Sequence, residues 1–186
     1  PAAAGTDPAE VVLALGAAFG LDLDRTLAGI DHGLLLREVL AGLEEEGAPV
    51  RTIRVRHTAD VAFIAHTAAK LSGSGIGIGV QSKGTTVIHH RSFAPLSNLE
   101  LFSVAPLMTP EHYRGIGRNA ARYARGEHPA PILVDHFGQG IESRYHTKAA
   151  ALHHVEARNV VSGGAPINVE VRFVEPAVVG AGHAAD

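Results

Sequence analysis

The sequence predicts an α/β layer fold with a mostly parallel sheet and one antiparallel strand. Three observations carry that expectation. Short β-branched runs alternate with stretches of helical periodicity along the first two thirds of the chain. Between Gly75 and Val80, glycine alternates strictly with Ile76, Ile78 and Val80. About four residues then lead to a second β-branched run, Thr85 to His89, too few for a parallel crossover, so these two strands form an antiparallel hairpin.

Taken in order, Val11 to Leu15 reads as a buried strand followed by a glycine-rich turn. His32 to Glu46 places Leu36, Val39, Leu40 and Leu43 at helical spacing, with Gly47 as the stop. Val50 to Arg56 suggests a strand, and Thr58 caps a helix running to Leu71, closed by Gly73. After the hairpin, Ser97-Asn98-Leu99-Glu100 reads as a capping box opening a short helix. Thr109-Pro110-Glu111 is a helix start with cap, proline and first-turn acid, and that helix runs to about Arg125. Pro129 and Pro131 break the chain, and the remainder reads as a β-containing extension with Asn168 to Phe173 its clearest strand. The expected division is one domain over 9–126, an extension over 127–176, and flexible tails at 1–8 and 177–186.

The glycine strand has the most to say about function. A strand sends successive side chains to opposite faces, so one face carries Ile76, Ile78 and Val80 and the other only hydrogens. Each interior glycine costs roughly 0.5–1 kcal/mol relative to alanine, so three in alternation need a close neighbour. That neighbour is either a tightly packed helix or a large flat ligand. Gln81, Ser82 and Lys83 stand at the strand's open end, where α/β sheets hold ligands. Neither a phosphate loop nor a dinucleotide fingerprint is present, because the lysine precedes Gly84 and no helix follows in the right frame.

Composition narrows the classes further. A net charge of −3 and 5% aromatics argue against a nucleic-acid surface, and no run of eighteen apolar residues exists. With no cysteine, disulfides and thiolate sites are excluded, and a reducing cytoplasm fits. The first residue is Pro1 rather than Met, which suggests a processed or trimmed start, and no signal peptide is visible. Twelve histidines invite a metal site, but the pairs His89-His90 and His153-His154 lack ligand spacing. No nucleophile elbow or paired acid constellation is evident, so this chain does not read as an enzyme acting alone. Two oddities remain. Glu44-Glu45-Glu46 ends a helix where the dipole prefers cations, either as a solvated terminus or as a docking patch. Arg114, Arg118, Arg122 and Arg125 form one helical stripe, either solvated or facing a partner.

Several long segments resemble the medium (β) subunit of adenosylcobalamin-dependent diol/glycerol dehydratases. They are Leu36 to Gly47, Asp60-Val61-Ala62-Phe63, Leu71 to His89, Pro95 to Phe102 and Ile116 to Ala124, so the resemblance spans about residues 10–175. It implies a three-layer α/β domain with a mostly parallel five-stranded sheet and one antiparallel strand. The reaction it implies takes a 1,2-diol to an aldehyde plus water by radical rearrangement. Its implied setting is a dimer of heterotrimers with large (alpha) and small (gamma) subunits, in the cytoplasm and served by a reactivating factor. The lower face of adenosylcobalamin would lie between this chain and the large barrel subunit, which alone carries substrate, potassium or calcium, and the radical chemistry. The family's cofactor contacts fall on Asp60, Lys83, Leu96, Asn98 and Ala105, with no catalytic residue and no metal ligand on this chain.

Each of these residue types suits such a role. Lys83 offers a point charge to a phosphate or amide carbonyl, Asp60 and Asn98 pair with corrin amides, and Leu96 and Ala105 wall an apolar base. Asp60 is equally a first-turn helix acid, and Asn98 a position inside the capping box. The family's carboxy-terminal basic contact falls near Glu142, with Arg144 the nearest substitute. The amphipathic targeting helix that sends some members into microcompartments is not visible. The small subunit of the dehydratase-reactivating factor is the alternative reading, and an RNA-binding module a third. The complete Gln81-Ser82-Lys83-Gly84-Thr85-Thr86 run and the long extension favour the dehydratase subunit.

Overall fold

The computed structural model describes residues 1–134 and 141–174, with side chains of 141–144 left aside. Elements follow in the order β1 (Val11–Leu15), α1 (His32–Glu45), β2 (Val50–Arg54), α2 (Val61–Leu71), β3 (Ile76–Val80), β4 (Thr86–His90) and β5 (Glu100–Phe102). A short 3₁₀ turn (Ala105–Leu107), α3 (Pro110–Ala124), α4 (Ile141–Arg158) and β6 (Ile167–Asn168) complete the chain. The sheet has six strands in the order β5-β4-β3-β1-β2-β6. β1 pairs in parallel with β2 and β3, whereas β4 is antiparallel to β3 and to β5, and β6 is antiparallel to β2. The fold is therefore α/β, with the expected hairpin present and a sixth strand contributed by the extension.

Both sheet faces are covered. Leu13, Leu15, Ile78, Val80 and Ile88 share one core with Leu35, Val39 and Leu43 of α1 and Tyr113 and Ile116 of α3. On the opposite face, Val12, Ala14 and Ile53 pack with Ile64 and Ala68 of α2. Every residue of β1 is buried, as a central strand between two helical layers requires. The register places Gly77 beside Val12 and Gly79 beside Ala14, which puts the bare glycine face under α2. A Cβ on Gly77 would overlap the Ala69 nitrogen and come within 2.6 Å of the Ala68 carbonyl carbon; one on Gly79 would come within 2.7 Å of Ala65 Cα. The close neighbour implied by the glycines is a helix.

Both charge oddities resolve inside the molecule. Gly42 and Gly117 let α1 and α3 approach until a Cβ on Gly117 would sit 2.9 Å from the Leu43 nitrogen. Across that seam, Arg114 reaches Glu38 (2.6 Å) and Glu45 (2.9 Å), and Arg118 reaches Glu45 (3.1 Å) and Glu111. Arg122 and Arg125 each lie 2.7 Å from Glu46. Glu45 and Glu46 of the acidic terminus and the arginine stripe are partners of one another.

Four expectations are corrected. No helix opens at Ser97; Glu100 begins β5, and its buried carboxylate accepts from Asn119 (2.8 Å), Tyr123 (3.1 Å) and the Ile132 N–H (3.0 Å). A residue committed to those inward donors cannot close a capping box. α2 is capped by Asp60 rather than Thr58: the Ala62 N–H donates to Asp60 at 2.8 Å, and Thr58 instead accepts from the Asp60 N–H. Third, the extension is mainly helical. Tyr145, Ala149, Leu152, Val155 and Glu156 recur at helical spacing on its inward side, and the strand expected over 168–173 is limited to Ile167–Asn168 against β2. Finally, residues 1–8 are not a free tail. Ala2 donates to the Pro166 carbonyl (2.7 Å), Gly5 to that of Leu71 (2.8 Å), and Arg51 to that of Ala3 (2.9 Å). The tail expected at 177–186 and the side chain of Arg144 lie outside the described residues.

Candidate functional site

Where β1 and β3 end, the chain passes into two loops, Gly16 to Gly20 and Gln81 to Thr85. These lie at the carboxyl edge of the parallel strands, the usual ligand edge of such sheets. Gly84 turns the second loop at φ +100°, and its carbonyl accepts from the buried Tyr113 hydroxyl (2.9 Å) and from Thr86 Oγ1 (3.0 Å). Gln81 donates through its amide to the Ala59 carbonyl just before α2, tying this loop to the Asp60 cap.

Lys83 is half-buried on that loop. Its side chain makes no hydrogen bond among the described residues. Burial lowers its pKa, and the negative charges of Asp60 and Glu156 partly oppose the shift. Two further polar atoms beside it, Gln81 Oε1 and Ser82 Oγ, are buried without a hydrogen-bond partner among the described residues. The lysine also lines a pocket of about 390 Å³ with Leu27, Thr85, Val104, Ala105 and Tyr145. The structure thus brings together three of the five residues singled out by sequence. Lys83 and Ala105 share a pocket, and Asp60 lies within electrostatic reach.

Leu96 and Asn98 form a separate group in the loop between β4 and β5. That loop leaves β4 at His90, which pairs with Ile76 at the far end of β3. Leu96 is 73% exposed, an uncommon setting for a leucine, and Asn98 is half-buried. The loop is tied back by His89, whose ring nitrogens face the carbonyls of His90 (2.8 Å) and Pro95 (3.3 Å) and whose ring meets His66 of α2 edge-on at 4.8 Å. No described contact links this group to the Lys83 pocket.

Sequence reasoning missed two buried residues at the site. His32 opens α1, 3% exposed and stacked on Phe19 at 3.8 Å. Its Nδ1 accepts from the Gly20 N–H (3.0 Å), so the Nε2 carries the proton and donates to the Ser82 carbonyl (2.7 Å). Glu156 of α4 is 2% exposed, and its carboxylate accepts from the N–H groups of Ser82 (3.1 Å) and Ala18 (3.4 Å). Neither residue sits in a recognisable motif. Their one sequence signal is a polar side chain on a face otherwise bound for the interior.

Arg54 of β2 completes the frame, donating to the carbonyls of Gly16 (2.9 Å), Ala17 (3.3 Å) and Phe19 (2.8 Å). The result is two hydrogen-bonded loops presenting Lys83 in a partly dry setting. Such a site can hold a carbonyl-rich or anionic ligand.

Among solved structures, a glycerol dehydratase reactivase is similar with a TM-score of 0.53 at 22% identity, over 64% of this chain and 94% of that one. A diol dehydratase-reactivating factor complexed with ADP and Mg²⁺ gives a TM-score of 0.48 at 27% identity, over 70% and 99%. The first likeness shows a shared fold. At the sequence level, the model of the dehydratase medium subunit family matches residues 18–130. That span holds the Gln81 to Thr85 loop, the latter part of the Gly16 to Gly20 loop and more than half of the chain, and the protein belongs to the dehydratase medium subunit family.

Proposed function

We propose that this chain is the cofactor-cradling, non-catalytic medium subunit of an adenosylcobalamin-dependent diol or glycerol dehydratase. It holds the lower face of the cofactor against the large subunit, within a cytoplasmic dimer of heterotrimers that also contains the small subunit. Potassium or calcium and the substrate belong to the large subunit, and a reactivating factor exchanges spent cofactor. When bound, adenosylcobalamin supplies the radical chemistry of the rearrangement. In this reading residues 9–126 are the cradle and 127–176 an extension of it.

The observation that carries the proposal is Lys83, a half-buried ammonium without a hydrogen-bond partner among the described residues, at the ligand edge of a family-matched domain. The donor set fits a corrinoid. An ammonium suits its phosphate or carboxamide oxygens, the Asp60 carboxylate accepts from carboxamides, and Ala105 offers an apolar wall. Leu96 and Asn98 extend the proposed contact along the β4–β5 loop, where an exposed leucine gains from being covered. The reactivating-factor reading is not favoured, because the family matched is that of the dehydratase subunit.

The test is cobalamin binding by the assembled dehydratase carrying Lys83→Ala. Losing a charge-assisted bond should weaken affinity by about ten- to a hundredfold, roughly 1.5–3 kcal/mol, with unchanged secondary structure. Wild-type affinity in that variant would reduce Lys83 to a surface charge and remove the main support for the cradle.

A further inference from the structure

We infer that Glu156 is a positioning residue for Lys83: with His32 it clamps the backbone N–H and carbonyl of Ser82 and so sets the place of the neighbouring ammonium. The inference rests on the proposed role of Lys83 in holding the cofactor.

The Ser82 N–H donates to Glu156 Oε2 at 3.1 Å, and the Ser82 carbonyl accepts from His32 Nε2 at 2.7 Å. Those partners come from opposite ends of the chain, α4 and the start of α1. Backbone groups at a loop are ordinarily met by neighbours in sequence or by water; here both are met by buried side chains. The other carboxylate oxygen of Glu156 reaches the Ala18 N–H at 3.4 Å, so one side chain joins the loops after β1 and β3. Gly16 makes room for it, since a Cβ there would overlap Oε1 and lie 2.9 Å from Cδ. α4 is itself held down by Lys148 on the Leu27 carbonyl (3.2 Å) and by Asn159 on Asp22 (2.9 Å).

The clamp also carries charge. A buried carboxylate is tolerated only when its oxygens are satisfied, and two backbone donors do this here. The groups facing Lys83 are Asp60 at the head of α2 and Tyr145, His146, His153 and Glu156 of α4. Of these, Asp60 and Glu156 favour the charged lysine. A helix that was not legible in the sequence thus places a carboxylate behind the ammonium of Lys83.

A double-variant cycle in the reconstituted dehydratase tests this, read by cobalamin affinity. Glu156→Gln turns one acceptor into a donor that opposes an N–H, and it should weaken cobalamin about tenfold. In the Lys83→Ala background the same change should cost less than about twofold, because the effect passes through the lysine. Gly16→Ala, which crowds the carboxylate but keeps its charge, should act in the same direction as Glu156→Gln. Full, additive losses would overturn the inference.

A second readout needs no cofactor. The NMR titration of ¹³C-methylated Lys83 in the free full-length chain should shift to lower pH in Glu156→Gln, since a charge favouring the ammonium is gone. An unmoved titration overturns the clamp whatever cobalamin does. If the titration moves but Lys83→Ala leaves cobalamin affinity intact, the clamp stands and the cofactor reading falls.

Discussion

At the scale of single residues, the site is built by satisfying backbone groups with buried side chains. His32 shows how this couples to pH. Burial holds its pKa below the ordinary value of 6.5, against the opposing pull of backbone bonds to Ser82 and Leu23 and of the charges of Asp24 and Asp31. Its Nδ1 accepts from Gly20, so a proton there would break a bond that the loop needs. Below pH of about 6.5 the unfolded chain takes up a proton that the folded ring resists, so stability falls with falling pH through this window and is complete above it. His32→Gln keeps a donor for Ser82 and cannot titrate. Its stability should decline less steeply than wild type between about pH 6.5 and 5, measured by urea unfolding. Parallel curves for the two proteins would mean that His32 does not carry this linkage. Lys83 was legible in the sequence because it closes a distinctive strand, whereas His32 and Glu156 were not. A buried histidine or glutamate looks like a surface residue until the fold supplies its partners.

Among the elements, the clearest success of sequence reasoning is the glycine strand. Strict alternation in β3 required a close neighbour, and α2 fills that place with its backbone near Ala68 and Ala69. The prediction at this scale is that Gly77→Val lowers stability by roughly 1–3 kcal/mol despite the better strand propensity of valine. The added methyls meet helix backbone rather than a movable side chain. Denaturant unfolding checks this, and an unchanged or raised midpoint would show that α2 does not pack as described. Elements failed to be legible where local signals and tertiary partners disagreed. Ser97 to Glu100 has the letters of a capping box, yet Glu100 turns inward to Asn119 and Tyr123, whose hydroxyl pKa is pushed up to about 12 by burial and by that carboxylate. α4 hid because its inward residues Tyr145, Ala149, Leu152 and Val155 are only half-buried and are followed by a buried glutamate, Glu156, so its apolar signal is weak.

For the whole molecule, the charge pattern changes meaning once the fold is known. Glu38, Glu45 and Glu46 meet Arg114, Arg118, Arg122 and Arg125 across the α1–α3 seam, so these charges first of all hold two helices of the same chain together. Exposed pairs of this kind are worth little each, but the network fixes which faces of the two helices meet. What the domain presents outward instead is the lysine at the carboxyl edge and the apolar residues of the β4–β5 loop, with Phe63 of α2 41% exposed. A chain with this layout serves a complex. Reconstitution of this chain with the large and small dehydratase subunits, assayed for aldehyde formation from 1,2-propanediol or glycerol and for cobalamin co-eluting on gel filtration, tests the proposal most directly. We expect turnover and retained cobalamin only when this chain is present, and neither from the chain by itself; turnover by the isolated chain, or full turnover and retained cobalamin without it, would contradict the cofactor-cradling role.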